Sequence, residues 1–266
     1  LALDEMDDTS KVLDVLNLRV HYNTSQGTVK AVDCISFYVG NNESLAIVGE
    51  SGCGKSTLAY SIMRLLPKNS RIADGSIILY PEKIDLTKLS EEEIRKIRGR
   101  RIGMIFQDPM TFLNPVMRIG DQIAEAMLYH LKYSPSIAKK KVIELLEKLR
   151  IVDAEDVARR YPHQLSGGMK QRVIIAMAIA CNPQLLIADE PTTALDVTVQ
   201  AEVLQLLKNL VKEFGMSLIL VTHDLGVVAE ICDRVAIMYA GKIMEVGDVY
   251  TLYNNPKHPY TIGLLK

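Results

Sequence analysis

The chain has no long hydrophobic run. Its longest uninterrupted apolar stretch extends from Val173 to Cys181, where Asn182 ends it, whereas a membrane-spanning helix needs about 20 apolar residues. The sequence therefore predicts no membrane span. The first ten residues carry four acidic side chains and no basic segment, which is not the pattern of a secretory signal peptide.

The chain also lacks an excess of charge of either sign. Because 31 basic residues face 32 acidic ones, the net charge is −1, which gives no overall attraction for nucleic acid or anionic lipid. The densest basic segment has five Lys or Arg residues between positions 95 and 101, without interleaved aromatic residues and next to Glu91 to Glu93. We interpret it as a solvated helix face rather than an RNA-binding patch.

Cysteine is sparse. The four cysteines form no CxxC pair and lie far apart in the sequence: Cys34, Cys53, Cys181 and Cys232. This spacing does not predict a metal site, and it indicates reduced thiols in a cytosolic protein.

The chain of 266 residues is 48% hydrophobic, which is enough for one large or two modest domains. The β-rich segments Val12–Val20 and Ile35–Val39 predict an antiparallel layer near the N-terminus. From residue 168 onward, predicted helices alternate with strands at 185–189 and 217–221, which indicates an α/β core with a parallel sheet. We expect a helical insertion at about 108–165, a domain covering 11–266, and an N-terminal tail of residues 1–10.

A phosphate-binding motif stands between a predicted strand, Ser44–Val48, and a helix that is predicted from Lys55 to Leu66. The segment from Gly49 to Ser56 fits the P-loop pattern GxxxxGK[ST]. Its glycines allow successive N–H groups to surround an anion, and the helix adds its positive N-terminal end. The predicted nucleotide-binding residues are Gly49, Glu50, Ser51, Gly52, Cys53, Gly54, Lys55, Ser56 and Thr57.

Two acidic residues end another apolar run. Asp189 and Glu190 follow the predicted strand, at the strand end where open α/β sheets bind ligands. Asp189 is a candidate Mg²⁺ ligand together with the Ser56 hydroxyl. Glu190 is a candidate for polarising the attacking water.

The segment from Leu165 to Gln171 reads Leu-Ser-Gly-Gly-Met-Lys-Gln and precedes Asp189 by 21 residues, counted from Gly168. In this order and spacing the sequence resembles the ATP-binding subunits of ABC transporters, whose signature is LSGGQ. Met169 replaces the usual Gln, which should be harmless if backbone N–H groups and Ser166 bind the phosphate.

The resemblance covers nearly the whole chain and implies the fold of an ABC nucleotide-binding domain, a P-loop NTPase core. It implies that Gln107 contacts Mg²⁺ and the water, that Asp196 lies in the D-loop, and that His223 contacts the γ-phosphate. Tyr22 matches an aromatic residue that stacks on adenine, although His21 and Tyr38 are nearby alternatives. In the family, Ser166, Gly167 and Gly168 cover the ATP of a second subunit, so the expected catalytic residues are Glu190, His223, Gln107 and Asp196.

Two further segments resemble the oligopeptide and dipeptide import ATPases. They are Phe106 to Pro115 and the terminal His258-Pro259-Tyr260-Thr261. The resemblance implies a cytoplasmic subunit on the inner face of the membrane, with ATP and Mg²⁺, a second ATPase subunit and permease subunits as partners, and no direct contact with nucleic acid. Relatives also move nickel or oligosaccharides, and neither the cargo nor the choice between a homodimer and a heterodimer follows from the sequence.

Two alternatives remain. A soluble ABC-type ATPase acting on DNA or translation usually carries long insertions or two cassettes per chain, and neither pattern is present. A binding module with an inactive site is disfavoured because Lys55, Asp189, Glu190 and His223 are all intact.

Overall fold

The computed structural model describes residues 7–107, 112–192 and 196–266, apart from the Val197 side chain. Asp108 to Thr111 of the predicted import-ATPase segment, and residues 193–195 before the predicted D-loop residue Asp196, therefore lie outside the described part of the chain. The chain divides into two compact units. The first runs up to Arg95 and resumes over Ser217–Lys266, and the second is Lys96–Met216.

The first unit contains two layers of strands. The antiparallel layer has the order β2-β1-β4-β5 and confirms the predicted N-terminal β-layer. In the other layer, β3 pairs in parallel with β8 and β9, and β9 pairs antiparallel with β10. The strands are β1 (Lys11–Thr24), β2 (Gly27–Gly40), β3 (Ser44–Val48), β4 (Ser70–Leu79), β5 (Ile84–Asp85), β8 (Ser217–Thr222), β9 (Arg234–Tyr239) and β10 (Lys242–Asp248).

Five helices belong wholly or mainly to this unit: α1 (Lys55–Ile62), α2 (Glu91–Ile97), α8 (Leu225–Ile231), α9 (Val249–Asn254) and α10 (Pro259–Leu264). The N-terminus of α2 carries a capping box. The Glu93 N–H lies 3.3 Å from the Ser90 hydroxyl, and the Ser90 N–H donates to the Glu93 carboxylate at 2.8 Å.

The second unit pairs two parallel strands, β6 (Ile102–Ile105) and β7 (Leu185–Asp189), and all nine of their residues are buried. Helices lie between them in the region predicted to hold the helical insertion, where a five-residue π-helix (Met127–Leu131) continues α3 (Ile119–Ala126). Among the described residues, no helix is both long and apolar enough to cross a bilayer. The α-helices of this unit are α3 (Ile119–Ala126), α4 (Pro135–Lys148), α5 (Ala154–Arg159), α6 (Gly167–Ile179) and α7 (Val197–Phe214).

Candidate nucleotide-binding site

The P-loop of the first unit connects a fully buried strand to a helix, as predicted. β3 ends at Val48, and α1 begins at Lys55 after Gly54, which caps it with a φ of +107°. Gly52 has a φ of +81°. These left-handed angles are readily adopted only by glycine, so the loop conformation depends on both residues.

Neighbouring backbone packs closely against the loop. A Cβ atom at Gly49 would lie 2.1 Å from the Met238 carbonyl oxygen, and one at Gly54 would lie 2.2 Å from the Ala31 carbonyl oxygen. The N–H of Gly241 donates to the Cys53 carbonyl at 2.9 Å. The loop is therefore held by β2, β9 and the β9–β10 turn.

Lys55 is only 5% exposed, and its ammonium group lies inside the loop. It donates to the carbonyls of Gly49 at 2.7 Å and Glu50 at 2.9 Å. A buried cation, glycine-rich backbone and the N-terminus of α1 together suit a phosphate group, since all three favour negative charge. The residues present therefore fit the triphosphate that the motif predicts.

Two predicted residues lie next to this loop. Ser56 is half-buried in the first turn of α1, and the following Thr57 hydroxyl lies 3.2 Å from the Tyr22 hydroxyl, with either group able to donate. Tyr22 is thus brought to the helix that follows the P-loop. Whether its ring stacks on adenine stays a prediction.

Cys53, also within the loop, is 6% exposed. Burial raises the pKa of its thiol, although the nearby Lys55 charge acts in the opposite direction. Because the thiolate is the reactive form, this cysteine is expected to be a poor nucleophile at neutral pH.

His223 lies at the same sheet edge as the P-loop. β8 pairs in parallel with β3, with Thr222 opposite Val48, and the exposed His223 follows Thr222 directly. The N–H of Asp224 then donates to the Thr222 hydroxyl at 3.0 Å. Parallel strands that end together place the following residues side by side, which accounts for the proximity of two motifs so distant in sequence.

The second unit carries the predicted carboxylates. Asp189 ends β7 and is fully buried. Glu190 follows with a φ of +45°, a left-handed angle that costs a non-glycine residue about 1–2 kcal/mol. Such strain in a residue at a strand end is frequent at functional sites.

Gln107 and Glu190 meet in this unit. β6 and β7 pair in parallel with Ile105 opposite Ala188, so that the two residues leave the same edge of the sheet. The Gln107 amide donates to the Glu190 carboxylate at 3.2 Å. The structure thus joins two predicted catalytic residues that are 83 positions apart in the sequence.

The predicted signature segment opens α6. Ser166 is the N-cap residue, and its side chain accepts from the Met169 N–H at 3.3 Å. Ser166 and Gly167 are both exposed. Because the first N–H groups of a helix have no partners within the helix, this exposed end can accept an anion.

Asp196 caps the neighbouring α7 in the same way, with its carboxylate accepting from the Val199 N–H at 3.0 Å. The two helix starts lie close together, since a Cβ at Gly168 would lie 3.0 Å from a Val199 methyl group. Ser166, Gly168 and Asp196 therefore occupy one exposed region of the second unit.

Sequence reasoning missed two residues near these motifs. Gln171 is fully buried on α6, and its amide donates to the carbonyl of Pro191, the residue after Glu190. Between Lys170 and Arg172 in the sequence, this amide gave no local signal that it is buried.

The other missed residue is Tyr260, which was noted only as part of a family motif. Its ring packs 4.5 Å from that of Tyr239. Burial raises the pKa of its hydroxyl, an effect that the neighbouring backbone N–H of Glu50 partly offsets. Tyr260 therefore contributes to the wall of the P-loop.

Comparison with known proteins identifies relatives. The family model described as ABC transporter matches residues 32–193. The chain is 54% identical to the dipeptide transport ATP-binding protein DppD of Bacillus subtilis over 256 residues, covering 96% of this chain and 76% of that protein. It is 52% identical to the oligopeptide transport ATP-binding protein OppD of the same organism, covering 96% of this chain and 71% of OppD.

Solved structures agree with these relatives. The dimeric ATP-binding cassette MJ0796, in a post-hydrolysis state bound to ADP and Pi, superposes with a TM-score of 0.78 at 29% identity, covering 89% of this chain and 98% of that one. CbiO1 of Clostridium perfringens, part of the ABC transporter complex cbiONQ, gives a TM-score of 0.77 at 31% identity, with 92% of each chain covered.

Proposed function

This chain belongs to the ABC transporter family and is an ATP-binding and ATP-hydrolysing subunit, and we propose that it powers an importer of dipeptides or oligopeptides. The cargo class is supported by relatives at 50–54% identity that are named for dipeptide or oligopeptide transport. The observation that carries the ATPase assignment is the buried Lys55 ammonium inside the glycine-rich loop.

Nucleotide binding follows from the residues of the loop. Backbone N–H groups between Gly52 and Ser56, with the Lys55 ammonium, would hold the phosphates. Ser56, Gln107 and Asp189 would hold Mg²⁺, because a hydroxyl, an amide oxygen and a carboxylate are the oxygen ligands that this ion prefers. When bound, Mg²⁺ would neutralise charge that develops on the phosphate oxygens.

Hydrolysis requires a group that activates water. We assign this role to Glu190, whose carboxylate is held by the Gln107 amide and by an unusual backbone angle. His223, exposed beside the P-loop edge, would stabilise the γ-phosphate.

The test is Glu190→Gln, which keeps the side-chain shape and removes the base. We expect ATP affinity to stay within about twofold of the parent, while kcat falls by about 10²–10⁴, the usual contribution of a general base. Fluorescent-nucleotide titration and phosphate release measure the two quantities. Turnover at the parent rate would exclude Glu190 as the base.

The second unit supplies the basis for a shared site. Ser166, Gly167 and Gly168 form an exposed helix start, and we propose that it covers the ATP bound by a second ATPase subunit. The similar cassette MJ0796 was solved as a dimer, which supports this arrangement. Asp196 lies beside this helix start and would take part in the same contact.

Transport across the membrane also requires permease subunits. We propose that the helical region at 108–165 and the Gln107 segment dock on permease subunits, so that the chain is peripheral on the cytoplasmic face and reaches the membrane only through them. Uptake of a labelled dipeptide, in cells that depend on this chain, is expected to stop with Glu190→Gln, while uptake of a free amino acid continues. Equal dipeptide uptake by parent and variant would contradict the proposed cargo.

A further inference from the structure

Gln171 connects the signature helix to the loop that carries Glu190. Its side chain is completely buried on α6, three residues after Gly168. The amide N–H donates to the carbonyl of Pro191, which is itself buried and directly follows Glu190. This hydrogen bond joins two segments that are 20 residues apart.

Stability alone does not account for an amide at this position. Among the described residues, the Gln171 carbonyl oxygen has no hydrogen-bond partner although it is buried, and an unsatisfied buried polar group costs about 1–3 kcal/mol. The following residues Val173, Ile174 and Ile175 are apolar and buried. An apolar side chain at position 171 would avoid this cost but would leave the buried Pro191 carbonyl without this donor, so the amide holds Pro191 in place at little net gain in stability.

The two ends of the connection are both parts of the site. On one side, Gln171 belongs to the first turns of α6, which begin at the exposed Ser166. On the other side, Pro191 continues from Glu190, whose left-handed backbone and Gln107 contact set the direction of the carboxylate. One buried hydrogen bond therefore links the first turns of α6 to the residue that follows Glu190.

We propose that Gln171 is a positioning residue that couples the Ser166 end of α6 to the Glu190 carboxylate. The inference rests on the proposed shared site, in which Ser166 contacts the nucleotide of the partner subunit while Glu190 acts on the nucleotide of its own subunit. Contact with one ATP then aligns the carboxylate that hydrolyses the other, and the two sites become cooperative.

The experiment compares Gln171→Met with Gln184→Met in the purified full chain. Methionine removes the hydrogen bond at nearly constant volume. Gln184 precedes the opposite end of β7 and accepts from Arg101 at 3.0 Å, so the control loses a similar amide contact away from the site. The measurements are fluorescent-nucleotide affinity, kcat, the Hill coefficient for ATP and the melting temperature.

We expect Gln171→Met to bind nucleotide within about twofold of the parent and to melt within about 4 °C of it, because the substitution removes one unsatisfied buried oxygen and leaves another at Pro191. Its kcat should fall about ten- to hundredfold, since an ångström-scale misplacement of a reacting group has effects of this size. Its Hill coefficient should fall toward 1. Gln184→Met should keep the parent kcat and Hill coefficient.

The coupling role would be overturned if Gln171→Met kept the kcat and the Hill coefficient of the parent. It would also be overturned if the variant bound nucleotide more weakly and melted at a clearly lower temperature, since the substitution would then have disturbed the fold as a whole. If the methionine variant does not fold, Gln171→Asn, whose amide is one methylene too short to reach Pro191, is judged by the same criteria. A parent chain without ATP hydrolysis would instead refute the proposed function, which separates the two failures.

Discussion

Three glycines of the P-loop allow backbone strain and steric overlap to be separated by alanine substitution. At Gly52 the φ is +81° and no atom lies within 4 Å of an added Cβ. At Gly49 the φ is not left-handed, but the Cβ would lie 2.1 Å from the Met238 carbonyl oxygen. At Gly54 both conditions hold, with a φ of +107° and a 2.2 Å approach to the Ala31 carbonyl oxygen.

The magnitudes follow from these contacts. A left-handed angle costs an alanine about 1–2 kcal/mol, and overpacking of buried atoms costs about 1–3 kcal/mol. Gly52→Ala should therefore lower the free energy of unfolding by about 1 kcal/mol through strain alone. Gly49→Ala should lower it by about 1–3 kcal/mol through overlap, and Gly54→Ala should show the largest loss because strain and overlap are combined there.

Nucleotide affinity should separate the variants further. In Gly49→Ala and Gly54→Ala the loop must move until each contact opens from near 2 Å to at least 3.0 Å, which displaces the N–H groups that bind phosphate. We expect the Kd for ATP to rise about a hundredfold. Urea unfolding and fluorescent-nucleotide titration supply the two quantities.

A matched control is Gly27→Ala in the β1–β2 turn. Gly27 has a φ of +127° and open space around its Cβ direction, so the strain is similar but lies outside the P-loop. It should lose about 1 kcal/mol of stability and no ATP affinity. Parent-like ATP affinity in Gly54→Ala would refute the view that packing against Ala31 positions the loop.

Three further predictions concern other parts of the chain. Ser166→Arg should leave ATP binding by isolated subunits unchanged and block ATP-induced dimerisation, as measured by size exclusion on a Glu190→Gln background; an unchanged dimer peak would contradict the shared site. Burial raises the pKa of Glu245, but donors around its carboxylate outweigh this effect and hold the pKa below its ordinary value; they include the backbone N–H groups of Lys257 at 2.8 Å and His258 at 3.0 Å. The stabilisation is then present above the unfolded pKa and lost as pH falls through the folded pKa, so Glu245→Gln should lower Tm by about 2–4 °C at pH 7 and by less near pH 4; an equal gap at both pH values would exclude this role. Iodoacetamide at pH 7 should label the exposed Cys34 well before the buried Cys53. Mass spectrometry of the peptides measures the order of labelling, and earlier labelling of Cys53 would contradict its protection by burial.

Local sequence predicted the elements that carry the site. The strands β3 and β7 each contain four consecutive apolar residues, and both match their predicted bounds. The helix after the P-loop was wrong at one end: it was predicted to reach Leu66 before Pro67, but α1 ends at Ile62. Arg64 there adopts a φ of +53°, and its guanidinium group donates to the carbonyls of Leu86, Thr87 and Leu89, a long-range contact that no local stop signal indicates.

The sequence by itself determined the motifs, because phosphate binding depends on a short stretch of backbone whose conformation its own glycines permit. It therefore identified Lys55, Ser166 and Glu190 by spacing and residue type alone. Only the tertiary structure decided which groups support them. The contact of Gln107 with Glu190, the hydrogen bond from Gln171 to Pro191 and the packing of Ala31 against Gly54 join residues that are distant along the chain, and such pairs are set by strand register and helix packing rather than by any local pattern.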